Sequence, residues 1–118
     1  MTSAATHATT DPGICAVCRR RHDNLAYAPT PRHPLKWVCA ECVPLAKGIY
    51  HMPRAQIDEF ERKALNDAGE AAGAYLDEIG KTDLADLTEE EWAAFWERGL
   101  MGYSESMKEQ ATKLWAPF

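Results

Sequence analysis

Long apolar runs are missing from this chain, and none approaches the roughly 20 residues that a membrane span requires. The opening stretch Met1-Thr2-Ser3-Ala4-Ala5-Thr6-His7 has no basic residue followed by an apolar segment, which is not the form of a secretory leader. The expectation is a cytoplasmic protein without membrane contact. There is no Gly-x-x-x-x-Gly-Lys-Ser/Thr loop and no Gly-x-Ser-x-Gly elbow, so the familiar phosphate-cradling and serine-hydrolase signatures are excluded. Cysteine and proline are unevenly placed. All four cysteines and five of the seven prolines fall within residues 13–53, and only Pro117 lies beyond them. A stretch so poor in proline is free to form long helices.

What is present fits a small folded protein. The 118 residues are 46% hydrophobic and 26% charged, which are globular proportions. The length suits one domain, or a small module joined to a helical one. The net charge of −5 hides a division: residues 1–54 carry seven basic and three acidic side chains, a net of +4, and residues 55–118 a net of −9. The composition implies a flexible tail over residues 1–12, a cysteine-bearing knuckle over 13–53 and a helical domain over 54–118.

Two helices are expected in that domain, over about residues 54–79 and 89–115. In the first, Ile57, Phe60, Ala64, Ala68, Ala71, Ala72, Tyr75 and Ile79 recur at three- and four-residue spacing, which places them on one face. Gly80 suits the left-handed position after the last turn. Leu84 and Leu87 of the connector are expected to turn inward. The second helix opens on a capping box, Thr88 with Glu91, and Trp92, Phe95, Trp96, Leu100, Tyr103, Met107, Ala111 and Leu114 continue at helical spacing. Gly99 and Gly102 each cost about 1 kcal/mol in a helix interior, so a kink or break is expected there. Trp92, Trp96, Tyr103 and Trp115 read most simply as core. Alternatively, Trp115 and Phe118, near the C-terminal end, form an exposed apolar contact.

The cysteines form two pairs, Cys15-Ala16-Val17-Cys18 and Cys39-Ala40-Glu41-Cys42. Each Cys-x-x-Cys turn gathers two sulfurs at one point, and two such turns supply a tetrahedral shell of four thiolates. A hairpin from Leu25–Ala28 to Leu35–Val38 can bring the pairs together. The metal expected is a single structural Zn²⁺ on Cys15, Cys18, Cys39 and Cys42. Disulfides are the competing reading, and a histidine ligand from His22, His33 or His51 is a further one. A closed shell of four cysteines leaves no position for a reactive water.

The charged residues support two contact surfaces. Arg19, Arg20, Arg21, Arg32 and Lys36, with Trp37 as a stacking surface, can contact phosphates or a protein partner; they also offset the excess negative charge of a four-thiolate centre. Asp58, Glu61, Asp77 and Glu78 can form an acidic partner-binding face, although such carboxylates are more often the solvated side of amphipathic helices. No catalytic residues emerge. His22-Asp23 lacks a partnering nucleophile, and Gly48-Ile49-Tyr50 resembles the opening of a GIY-YIG nuclease without its second half.

The block Gly80-Lys81-Thr82-Asp83-Leu84, within residues 55–105 and followed by Gly102-Tyr103, resembles a family of small uncharacterised phage- and prophage-associated proteins of Proteobacteria. Some of its members carry an N-terminal Cys-x-x-Cys knuckle. The resemblance implies a phage setting and no particular activity. Taken together, the expectation is a small α+β protein: a four-cysteine zinc knuckle, of zinc-ribbon or treble-clef-like form, followed by an antiparallel helical hairpin. Its expected function is non-enzymatic binding of a host or phage protein, such as inhibition of a nucleic-acid-processing or defence complex. The alternatives are direct nucleic-acid binding through the basic knuckle and, further off, a small nuclease.

Overall fold

The computed structural model describes residues 13–115. The expected tail at 1–12, Phe118 and the Trp115 side chain lie outside the described residues. Two short strands, β1 (Leu25–Tyr27) and β2 (Lys36–Val38), pair antiparallel with Leu25 opposite Val38 and Tyr27 opposite Lys36. A 3-10 helix at Ala40–Leu45 runs into helix α1 (Ala46–His51). Two long helices follow, α2 (Arg54–Ile79) and α3 (Glu89–Trp115), joined through a 3-10 turn at Leu84–Asp86. None of the described helices is long and apolar enough to cross a membrane.

The long helices start and stop on local chemistry. Gly80 ends α2 at φ 70°, with the amides of Gly80 and Lys81 donating to the carbonyls of Asp77 and Leu76; the left-handed glycine satisfies carbonyls the helix leaves open. Asp83 accepts from the Ala85 amide at 2.9 Å and begins the 3-10 turn. At α3 the capping box closes both ways: the Glu91 amide donates to Thr88 Oγ1 at 3.1 Å and the Thr88 amide to Glu91 Oε1 at 2.9 Å. Lys81 Nζ then bridges to Glu91 at 2.6 Å and to the Asp86 carbonyl at 3.2 Å. The Gly-Lys-Thr-Asp-Leu block is thus the clasp of the hairpin. Leu84 stays 44% exposed, contrary to the inward turn expected of it, because it sits on the outside of this short connector.

Helices α2 and α3 pack antiparallel, with Arg98 on Glu78 at one end, Ser106 Oγ donating to Asp67 at 2.6 Å, and Gln110 Nε2 donating to the Phe60 carbonyl at the other. The expected interruption is not a break: α3 runs unbroken through both glycines. Their role is close approach: a Cβ on Gly102 would lie 2.9 Å from Ala71 Cβ and 3.3 Å from the Asp67 carbonyl oxygen. Small residues on both helices bring the backbones together, and that packing outweighs the low helix propensity of glycine.

The knuckle docks on the hairpin. Its buried residues Cys15, Val17, Val38, Leu45, Ile49 and Met52 share a core with Ala111 of α3 and with the partly buried Ile57 and Phe60 of α2. Arg19 pairs with Glu61 at 3.0 Å and Lys108 with Glu41 at 2.8 Å across the join. One face of α3 therefore divides. Towards the C-terminal end, Met107 and Ala111 are fully covered; towards the N-terminal end, Trp92 and Trp96 stand 45% and 52% exposed. This corrects their assignment to the core. Periodicity marks an apolar face but not where its cover ends.

Candidate metal centre

Each cysteine pair arrives on a tight turn. After Cys15 and Cys18 the chain adopts φ 66° at Arg19, a left-handed conformation unusual outside glycine. The turn is held by the Arg19 amide on the Cys15 carbonyl at 3.0 Å and by Arg19 Nε on the Ala16 carbonyl at 3.3 Å. The second pair is set by Asp23, whose carboxylate accepts from the Ala40 amide at 2.7 Å and so anchors the start of the 3-10 helix that carries Cys42. The hairpin links the two turns, with the Ala16 amide donating to the Trp37 carbonyl and the Asp23 amide to that of Val38.

The result is a group of four buried, free cysteines whose sulfurs all lie within 4.8 Å of one another. Cys18 Sγ and Cys39 Sγ are 3.8 Å apart. A tetrahedral ion with metal–sulfur bonds of about 2.3 Å requires sulfurs about 3.8 Å apart, so the group can hold a metal ion. The disulfide reading is not met, since all four thiols are free.

The electrostatics of the cluster point the same way. Hydrogen bonds from Cys18 and then Cys42 hold the Cys15 thiol far below its ordinary range, towards the thiolate. Their hydrogen bonding to Cys15 pushes Cys18 up to about 11 and Cys42 higher still. Four sulfurs at one point cannot all ionise without a cation between them. A bound divalent ion reverses that balance and favours four thiolates.

No histidine nitrogen belongs to this group among the described residues. His22 is buried and stacked on Trp37, ring centroids 5.0 Å apart, and its Nδ1 accepts from the Asn24 amide. His33 Nδ1 sits 2.8 Å from Thr30 Oγ1, and His51 lies beside Tyr50. Lys108 of α3 was not singled out from the sequence, yet it faces the centre: Glu41 first, and Cys42 and Cys18 further off, raise its pKa. Its place one residue after Met107 in the apolar stripe was the available signal.

The other charged candidates do not form single surfaces. Arg19, Arg20 and Arg21 turn towards the helices, with Arg20 Nη1 2.8 Å from Met101 Sδ. Arg32 lies in the hairpin turn, its amide on Thr30 Oγ1, and Lys36 sits 5.7 Å over the Tyr50 ring. The indole of Trp37 is taken up by His22. Of the acidic set, Asp58 pairs with Arg54, Glu61 with Arg19 and Glu78 with Arg98, and Asp77 is exposed, with no ion pair among the described residues. Gly48-Ile49-Tyr50 lies within α1, where Tyr50 Oη donates to the Pro34 carbonyl at 2.9 Å; it braces the hairpin.

Beside the centre runs a groove of about 760 Å³ lined by Leu65, Trp96, Leu100, Met101 and the three arginines. Spacing on α3 alone could not have found it, because Leu65 comes from α2.

Residues 54–118 match the model of a family of unknown function, DUF6511. The chain belongs to that family. No curated protein and no solved structure matches it. The DUF6511 match begins at Arg54, the first residue of α2, so it takes in the hairpin and its clasp, while the metal centre lies outside it.

Proposed function

We propose that this DUF6511 chain is a zinc-stabilised, non-enzymatic protein-interaction module, phage- or prophage-encoded, that docks a host or phage protein in the cytoplasm of the host cell. Four buried cysteine sulfurs within 4.8 Å of one another are a donor set that favours one structural Zn²⁺. A hairpin between the cysteine pairs, with the second pair at the start of a helical segment, is consistent with a treble-clef-like knuckle. Since cysteine alone completes the shell, the ion would hold the fold and activate no water.

The observation that carries the interaction reading is the bare half of the α3 face, where Leu100 is 67% exposed beside Trp92 and Trp96, with Leu65 of α2, 64% exposed, alongside. Contiguous apolar surface of this kind, rimmed by charge, marks docking sites. The resemblance of the hairpin clasp to phage and prophage proteins supports the setting, and a complex that processes nucleic acid or mediates host defence is a concrete partner.

The test is a photoreactive residue placed at Ala93, in the groove, or at Ala74, on the exposed side of α2. A protein adduct from position 93 and none from position 74 is expected. Equal adducts from both positions, or none from either, would count against the reading. Direct nucleic-acid binding has one observation in its favour: Arg20 and Arg21 form no ion pair among the described residues. It requires a mobility shift that weakens steeply with salt and with Arg20→Ala/Arg21→Ala.

A further inference from the structure

We propose that the bare half of α3 seats a second copy of this chain, the two α3 helices crossing antiparallel about Trp96 to make a symmetric dimer. This rests on the interaction reading above and names its partner. Glu89, Trp92, Trp96, Leu100, Tyr103, Met107 and Ala111 recur at three- and four-residue intervals, so they share one face of α3. The knuckle covers that face between Tyr103 and Ala111, leaving Trp92, Trp96 and Leu100 uncovered with Leu65 of α2 alongside. A hairpin with an open lateral face is half of a four-helix bundle.

Charge decides the occupant. Arg20 and Arg21 wall the groove at its Leu100 end, with Arg20 on Met101. Glu89 and Glu90 stand exposed at the opposite end of the same half. None of these four side chains forms an ion pair among the described residues. In an antiparallel crossing at Trp96, the residue seven before it on one helix faces the residue seven after it on the other, both about 10 Å from the crossing. Glu89 and Glu90 of each copy therefore come to the stretch of the other copy that Arg20 and Arg21 flank. Two-fold symmetry makes the match twice. A polynucleotide fits less well, because the helical half carries a net charge of −9, which opposes a phosphate backbone.

Light scattering and sedimentation of the metal-loaded full chain over a wide micromolar range test this. The expected mass is twice 13.2 kDa. Trp96→Asp should give a monomer with unchanged helical circular dichroism and metal content. Glu89→Lys/Glu90→Lys and Arg20→Glu/Arg21→Glu should each weaken association at least tenfold, and mixing the two variants should restore it. A dimer indifferent to Trp96→Asp, or no recovery on mixing, overturns this geometry. A wild-type monomer whose position-93 probe captures a different protein overturns the second copy and leaves the interaction reading standing. A monomer with no adduct overturns both.

Discussion

Residues 13–53 are held at one point, by four sulfurs within 4.8 Å of one another, around which two three-residue strands and a short helix are arranged. The hairpin of α2 and α3 is held along its whole length, by alanines and glycines that let two helices of 26 and 27 residues lie close. The first region builds its small core around the four cysteines themselves, and a metal can add what so little regular structure does not supply. The second has enough contact, together with satisfied helix ends, to stand with less help. The difference teaches where each region breaks: the module all at once, the hairpin by increments.

The largest expected effect is on the module. Cys42→Ser should abolish metal binding and melt residues 13–53 while the hairpin keeps most of its helical circular dichroism; a variant that retains the metal and a sharp module transition would break the comparison. Next comes the helix contact. Gly102→Ala pushes a methyl into Ala71 and the Asp67 carbonyl and should cost about 1–3 kcal/mol by overpacking. Gly99→Ala meets only ordinary contacts at 3.7 and 3.8 Å and should gain up to about 1 kcal/mol from helix propensity. Thermal melts of the two variants should therefore move in opposite directions. Asp23→Ala, which frees the Ala40 amide, should cost about 1 kcal/mol and loosen the second cysteine turn, read as faster metal release to a chelator.

The smallest effect is at the clasp. Lys81, and then the Thr88 amide, hold the Glu91 carboxyl below its ordinary range. A depressed carboxylate contributes stability that is fully present above its unfolded value and is lost as pH falls through the folded one. The hairpin melt should therefore fall slightly as pH drops below about 4.3, and Lys81→Ala should flatten that slope.

Much of the candidate site could be read from the chain because its signals are local. Cys-x-x-Cys spacing reports a turn, Thr88 with Glu91 reports a helix start, and Gly80 reports a helix end. The acidic set Asp58, Glu61, Asp77 and Glu78 and the basic set around Arg19 depend instead on which element lies opposite, and there most of the acidic carboxylates are taken up by Arg54, Arg19 and Arg98. Trp92 and Trp96 show the same limit, since their helical spacing is identical to that of Met107 and Ala111. Only the docking of the knuckle over one half of the face separates exposed from buried. Gly102 carries no mark in sequence that distinguishes a helix weak point from a helix contact; Ala71, thirty-one residues earlier, makes the distinction.

Hydrogen exchange resolved by residue, on the metal-loaded chain before and after chelation, tests the central claim most directly. The expected result is one zinc per chain, loss of protection across residues 13–53 and at Met107 and Ala111, and retained protection through the Gly99–Ala72 contact of the hairpin. Unchanged protection of residues 13–53 in metal-free protein would contradict it.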